Sequence, residues 1–117
     1  MTTLKETKEK ILTDAKNWCV YLMDFVDDFR YYKDLQMISE PFELSDDKMD
    51  ALLASTTESL CDEMNVEPPE WLKKIPACKK PYFVGEIERL KAISIVQSPL
   101  RFKVRNIFVL ENFLSRV

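Results

Sequence analysis

An all-α fold follows from three properties of this chain of 117 residues: it has one glycine, its apolar residues recur at three- and four-residue intervals over long stretches, and its six prolines lie between those stretches. Sandwiches, barrels and phosphate-cradling loops depend on turns with φ > 0, which only glycine makes without steric cost, and Gly85 stands alone. Helices joined by proline-containing loops are the alternative. The length fits one domain, residues 1–117, able to bury roughly two thirds of the surface that the unfolded chain exposes. The expected architecture is a single helical bundle of about four main helices with an irregular C-terminal arm docked on it.

Thr3 followed by Glu6 has the form of a capping box, and Ile11, Leu12, Ala15, Trp18, Cys19, Leu22, Phe25, Val26 and Phe29 then keep helical spacing. One long first helix is predicted, running to about Arg30 and forming the central wall of the core. Lys5, Lys8, Glu9, Lys16, Asp24 and Asp28 fall on its solvated side. Glu40-Pro41 halts helical continuation because the residue before proline avoids the α region, which places a connection at about 33–44. Ser45 is the expected cap of a second helix, with Asp46 and Asp47 on its first turn and Met49, Leu52, Leu53, Thr56, Leu60 and Met64 along one face. Asn65 suits its left-handed end. A short helix anchored by Trp71 follows Pro68-Pro69, a loop holding Lys79, Lys80, Tyr82 and Phe83 comes next, and a further helix spans about 85–97. Ser98-Pro99 opens one more helical turn before Arg105, and 112–116 suit a last one.

The net charge of −3 conceals a polarity. Residues 1–70 carry seven Lys and Arg against seventeen Asp and Glu, whereas residues 71–117 carry ten against three. Two readings fit: the halves neutralise each other within one fold, or the basic part faces a partner. No apolar run reaches the ~18 residues of a membrane span, and the charges at Lys5, Glu6, Lys8, Glu9 and Lys10 do not suit a secretory leader. A cytoplasmic, soluble protein without membrane contact is expected. Cys19, Cys61 and Cys78 are odd in number and widely spaced, so they read as reduced, mostly buried thiols, with Cys19 and Cys61 in the core.

Catalytic chemistry is poorly supplied. Histidine is absent, and with it the usual base near neutral pH and every Cys-His or Ser-His pairing. Asp24, Asp27 and Asp28 at i, i+3 and i+4 form either a weak carboxylate site for a hard cation or a solvated acidic edge, and the second reading is preferred: no metal and no cofactor are expected. Cys78 beside Lys79 and Lys80 is the best candidate for a reactive thiolate, weighed against an inert thiol lacking a partner base. Tyr31-Tyr32 after Arg30 and Tyr82-Phe83 after Lys80 interleave rings with cations as single-strand binders do, although rings at helix ends more often edge a core.

The tail is the most distinctive stretch. Arg101, Lys103 and Arg105 alternate with Phe102 and Val104, so the cations converge on one side whether the segment is extended or helical, and Asn106 beside them suits a turn. With Lys79 and Lys80 they form the candidate binding set for phosphate, nucleic acid or an acidic protein surface; the competing reading pairs them internally. The expected internal partners are Asp27 and Asp28, next to Arg30.

The run Gln97-Ser98-Pro99-Leu100-Arg101-Phe102-Lys103-Val104-Arg105-Asn106-Ile107-Phe108-Val109, continued by Glu111-Asn112-Phe113-Leu114-Ser115-Arg116, resembles the C-terminal signature of a family of small uncharacterised bacterial helical proteins. Phe25-Val26-Asp27-Asp28-Phe29-Arg30 and Pro68-Pro69-Glu70-Trp71 are similar to it as well. Some relatives are antitoxin-like or are associated with nucleotidyltransferase-like proteins. The resemblance therefore implies a non-catalytic adaptor, the neutralising or regulatory member of a bacterial pair, whose partner is another protein; self-association is compatible with it. The alternative is a nucleic-acid or phosphate binder that uses the basic C-terminal region.

Overall fold

The computed structural model describes residues 2–84, 95, 97–110 and 113–114, and the fold is all-α with one short ribbon. Its axis is the helix Asp47–Glu63 (α3), where nine consecutive residues, 50–58, are buried. A helix buried on every side needs neighbours that come close, and Ala51, Ala54, Ser55, Thr56 and Thr57 supply the small surfaces that allow it. Those residues carry little hydropathy, which is why the apolar spacing suggests a one-sided helix here. The central wall is thus α3 and not the first helix. Asp46 caps it by accepting from the Lys48 N–H at 3.1 Å, while Ser45, the expected cap, gives its own N–H to Asp50 Oδ2 at 2.8 Å. Beyond the helix Asn65 takes φ 55°, as expected of a left-handed end.

The single long first helix is also corrected. It breaks at Asp14 (φ −149°, ψ 68°) into Leu4–Thr13 (α1) and Trp18–Tyr32 (α2), separated by the 3₁₀ turn Ala15–Asn17. Asp14 Oδ2 accepts from Asn17 Nδ2 at 2.8 Å and from the Tyr21 hydroxyl at 2.7 Å, so one carboxylate organises the corner and α1 folds back to pack on α2. Those two bonds, Asn17's the larger influence, hold the Asp14 carboxyl below its ordinary range, and the same contact raises the Tyr21 hydroxyl. The break rotates the two pieces independently. Leu12 and Cys19, expected inside, are exposed, and Lys8, expected in solvent, is 2% exposed. Leu22, Phe25, Val26 and Phe29 keep the inward positions their spacing assigns, with the Phe25 and Phe29 rings stacked at 5.8 Å.

The connection after α2 starts at Lys33 (φ 52°) and contains the 3₁₀ turn Leu35–Ile38, which buries Met37 and Ile38. The short helix Glu70–Lys73 (α4) follows the double proline, and Trp71 anchors it as expected: its Nε1–H donates to Ile38 O at 3.0 Å and its ring meets Phe42 edge-on at 5.4 Å. Leu100–Lys103 (α5) is the helical turn opened by Ser98-Pro99. Two pairs of residues, Tyr82–Phe83 (β1) and Ile107–Phe108 (β2), run parallel with Tyr82 opposite Ile107 and Phe83 opposite Phe108. Elements this short leave no periodic signal, and the sequence reads both segments as irregular. The helix expected over 85–97 lies outside the described residues apart from Ile95 and Gln97, which are helical, and of the last turn over 112–116 only Phe113 and Leu114 are described.

Lys8 enters the core because α3 presents Asp50 there. The two form a buried ion pair, and the ammonium also stands 5.1 Å from the centre of the Phe42 ring. Removing one member leaves an uncompensated buried charge. Lys8→Ala is therefore expected to lower the unfolding free energy by about 3–5 kcal/mol in urea titrations, whereas Lys8→Met combined with Asp50→Leu recovers most of that loss.

Candidate partner-binding surface

The basic tail lies on the C-terminal half of α3. Arg101 and Arg105 are four residues apart, and so are Glu58 and Asp62, so the two sets meet in register. Arg105 is 6% exposed and fully engaged: Nη1 pairs with Glu58 Oε1, Nη2–H donates to Leu72 O at 2.7 Å and Nε–H to Ile75 O at 3.3 Å. One guanidinium thus joins the arm, α3 and the end of α4. Arg101 holds Asp62 through both carboxylate oxygens, at 2.9 and 3.0 Å, and lies 3.6 Å from Glu58 Oε2. The hydrogen bond to the Asp62 carboxylate raises the Arg101 pKa.

The expected internal pairing is corrected in its address: Glu58 and Asp62 receive the arginines, and Asp28 instead accepts the Thr2 N–H at 2.8 Å. Asp27 is half-buried beside it on α2. Arg30 does reach the arm, by donating to Leu114 O at 2.6 Å, while its other nitrogens hold Glu63 at 2.7 and 3.2 Å. Asn106 takes φ 65° and gives its amide to Cys78 O at 3.2 Å, a contact across 28 residues where a local turn bond was expected. The side chains of Lys79, Lys80 and Lys103 face solvent, and the Lys79 N–H donates to Asp47 Oδ2 at 3.2 Å. The sequence-derived binding set therefore divides into Arg105, built into the core, Arg101, held by carboxylates at its edge, Asn106 at a turn, and three lysines with exposed side chains.

Glu58 and Asp50 are the polar residues that sequence reading missed. A signal existed for Glu58, which interrupts a run of small and apolar residues where a carboxylate survives only with a partner, whereas Asp50 follows Asp46, Asp47 and Lys48 and reads as one more charge of a solvated first turn. Which cation supplies it depends on tertiary packing.

Between α3 and the arm opens a groove of about 450 Å³, walled by Phe102, Val109, Leu110, Phe113 and Leu114 and rimmed by the pairs Arg30–Glu63 and Arg101–Asp62. Leu100 of α5 stands at its edge, 72% exposed. A second surface is the outer side of α2, where Val20, Asp24, Tyr31 and Tyr32 face solvent; Tyr31 is 80% exposed and lies edge-on to Tyr32 at 4.8 Å.

Two of the three thiols, Cys61 and Cys78, are buried as expected, and Cys19 is exposed. Cys78 is buried, and burial together with Asp47 and Asp46 pushes it up to about 11, outweighing the neighbouring cations; it is not a reactive thiolate. Burial likewise raises Cys61 to about 11. Among the described residues no three His, Cys, Asp or Glu gather closely enough to hold a metal ion, and no helix is long and apolar enough to cross a membrane. The chain matches no family model, no curated protein and no solved structure.

Two outcomes test these assignments. Arg105→Ala is expected to cost about 3–5 kcal/mol of stability and Arg101→Ala less than about 1 kcal/mol, read from paired denaturation curves. In the native protein at pH 8 a thiol reagent should titrate Cys19 rapidly, with Cys61 and Cys78 reacting only in denaturant, because about one in a thousand of each buried thiol is ionised there.

Proposed function

We propose that this is a non-catalytic partner-binding protein of the bacterial cytoplasm, the regulatory or toxin-neutralising member of a pair, that meets its partner through the outer side of α2. The observation that carries the reading is the engagement of Arg101 and Arg105 by Glu58 and Asp62, which occupies both guanidinium groups with carboxylates of the same chain. The groups that α2 offers instead are Val20, Tyr31 and Tyr32 beside exposed Asp24. Tyrosines combine a large apolar body with a polar end at low conformational cost, which favours them at protein interfaces.

Affinity capture from the native host tests the proposal. The wild-type chain should retain a protein that Tyr31→Ala with Tyr32→Ala binds roughly tenfold more weakly or worse, with an unchanged melting temperature. Retention of that partner by the variant would remove the α2 contact, and a gel shift with DNA or RNA at low salt that fades steeply as salt rises would favour the nucleic-acid reading instead.

A further inference from the structure

The corner between α1 and α2 joins two helices whose buried faces are in phase with each other. Leu4, Lys8 and Ile11 are buried on α1, and Leu22, Phe25 and Phe29 on α2, in alternating steps of three and four residues. Ile11 and Leu22 are eleven residues apart, about three turns of a continuous helix, so a straight helix over 4–32 would carry all six in one stripe. Such a stripe is the seam by which one helix pairs with another, and a single Lys within it fixes the register of the pairing. The corner itself contains no glycine or proline, and Asp14, Ala15, Lys16 and Asn17 are all helix-compatible. What holds the bend is one carboxylate, Asp14, through its bonds to Asn17 and Tyr21.

We propose that the fold has a second, exchanged form, in which the corner straightens and α1 of each of two copies docks in the place of the other's. In the folded-back form the Thr2 N–H bonds to Asp28, so α1 starts beside the far end of α2 and the two helices run antiparallel. Two straightened helices related by a twofold axis reproduce that pairing, the α1 half of one lying on the α2 half of the other. The occupant is specified by chemistry. Asp50, buried on α3, needs a cation, and α1 brings Lys8 together with the apolar stripe that flanks it; an identical α1 from a second copy brings both. The exchange re-forms every α1 contact and gains backbone bonds across the corner, at the cost of the Asp14 bonds and of the independence of two chains. Because the buried Lys8–Asp50 pair must open first, the two forms interconvert slowly. The outer side of α2 takes no part, so the inference is independent of the α2 contact.

Full chains refolded from urea at about 300 µM should contain a dimer, read by sedimentation velocity, that is absent after refolding at about 1 µM. Asp14→Ala removes both corner bonds and should raise the ratio of dimer to monomer by roughly tenfold. Ala15→Pro should abolish the dimer without lowering the melting temperature, because proline suits the first position of the 3₁₀ turn at this exposed site and is excluded from the interior of a continuous helix. In a dimer refolded from isotope-labelled and unlabelled chains, intermolecular contacts should join the Lys8 side chain to the Phe42 ring. A wild-type chain that refolds only as a monomer overturns the proposal. So does a dimer that survives Ala15→Pro or lacks the intermolecular contact between Lys8 and Phe42.

Discussion

Asp50 and Glu58 carry two negative charges into the centre of the molecule, on a helix that has no cation of its own at either site. Charge at that depth is tolerable only when paired and hydrogen-bonded. The pairing comes from outside α3 and from opposite directions: Lys8 of α1 reaches Asp50, and Arg105 of the arm reaches Glu58. Backbone groups complete both sites, with the Ser45 N–H on Asp50 and the carbonyls of Leu72 and Ile75 on Arg105. Buried pairs of this kind add little net stability, but their geometric demands exclude other packings. Here they specify which segments cover which end of α3.

The same constraint divides the molecule's cations by role. Arg30, Arg101 and Arg105 bind carboxylates or carbonyls of their own chain, and the pairs that Arg101 and Arg105 make with Glu58 and Asp62 tie the basic last part to the acidic first part. What remains at the surface is a set of apolar and aromatic side chains among mixed charges. Such surfaces suit contacts with other proteins better than contacts with phosphate backbones.

Much of this was legible in the chain itself. The all-helical class, the inward face of α2, the span of α3 to within two residues at either end, the Trp71 anchor and the turn after Ser98-Pro99 all follow from spacing and caps that act locally. The break at Asp14 escaped because the apolar pattern runs through it without interruption; the side chains that hold the corner, Asn17 and Tyr21, are ordinary helix-compatible residues. The all-round burial of α3 escaped because Ala, Ser and Thr signal burial weakly. Charge complementarity gave the internal fate of the tail arginines but not its address, since Asp27-Asp28 and Glu58…Asp62 are equally acidic in one dimension and only the packing of the arm distinguishes them.

Sequence separation gives the two buried pairs a temporal meaning. Lys8 and Asp50 are 42 residues apart, and Glu58 and Arg105 are 47. As the chain leaves a ribosome from its N-terminal end, the first pair can close while the second carboxylate still has no cation. Glu58 therefore gains its buried partner only after Arg105 has been made, by closing a loop of about the same length as the first pair's. Assembly of the core is in this sense ordered along the chain, with the arm as the segment that completes it.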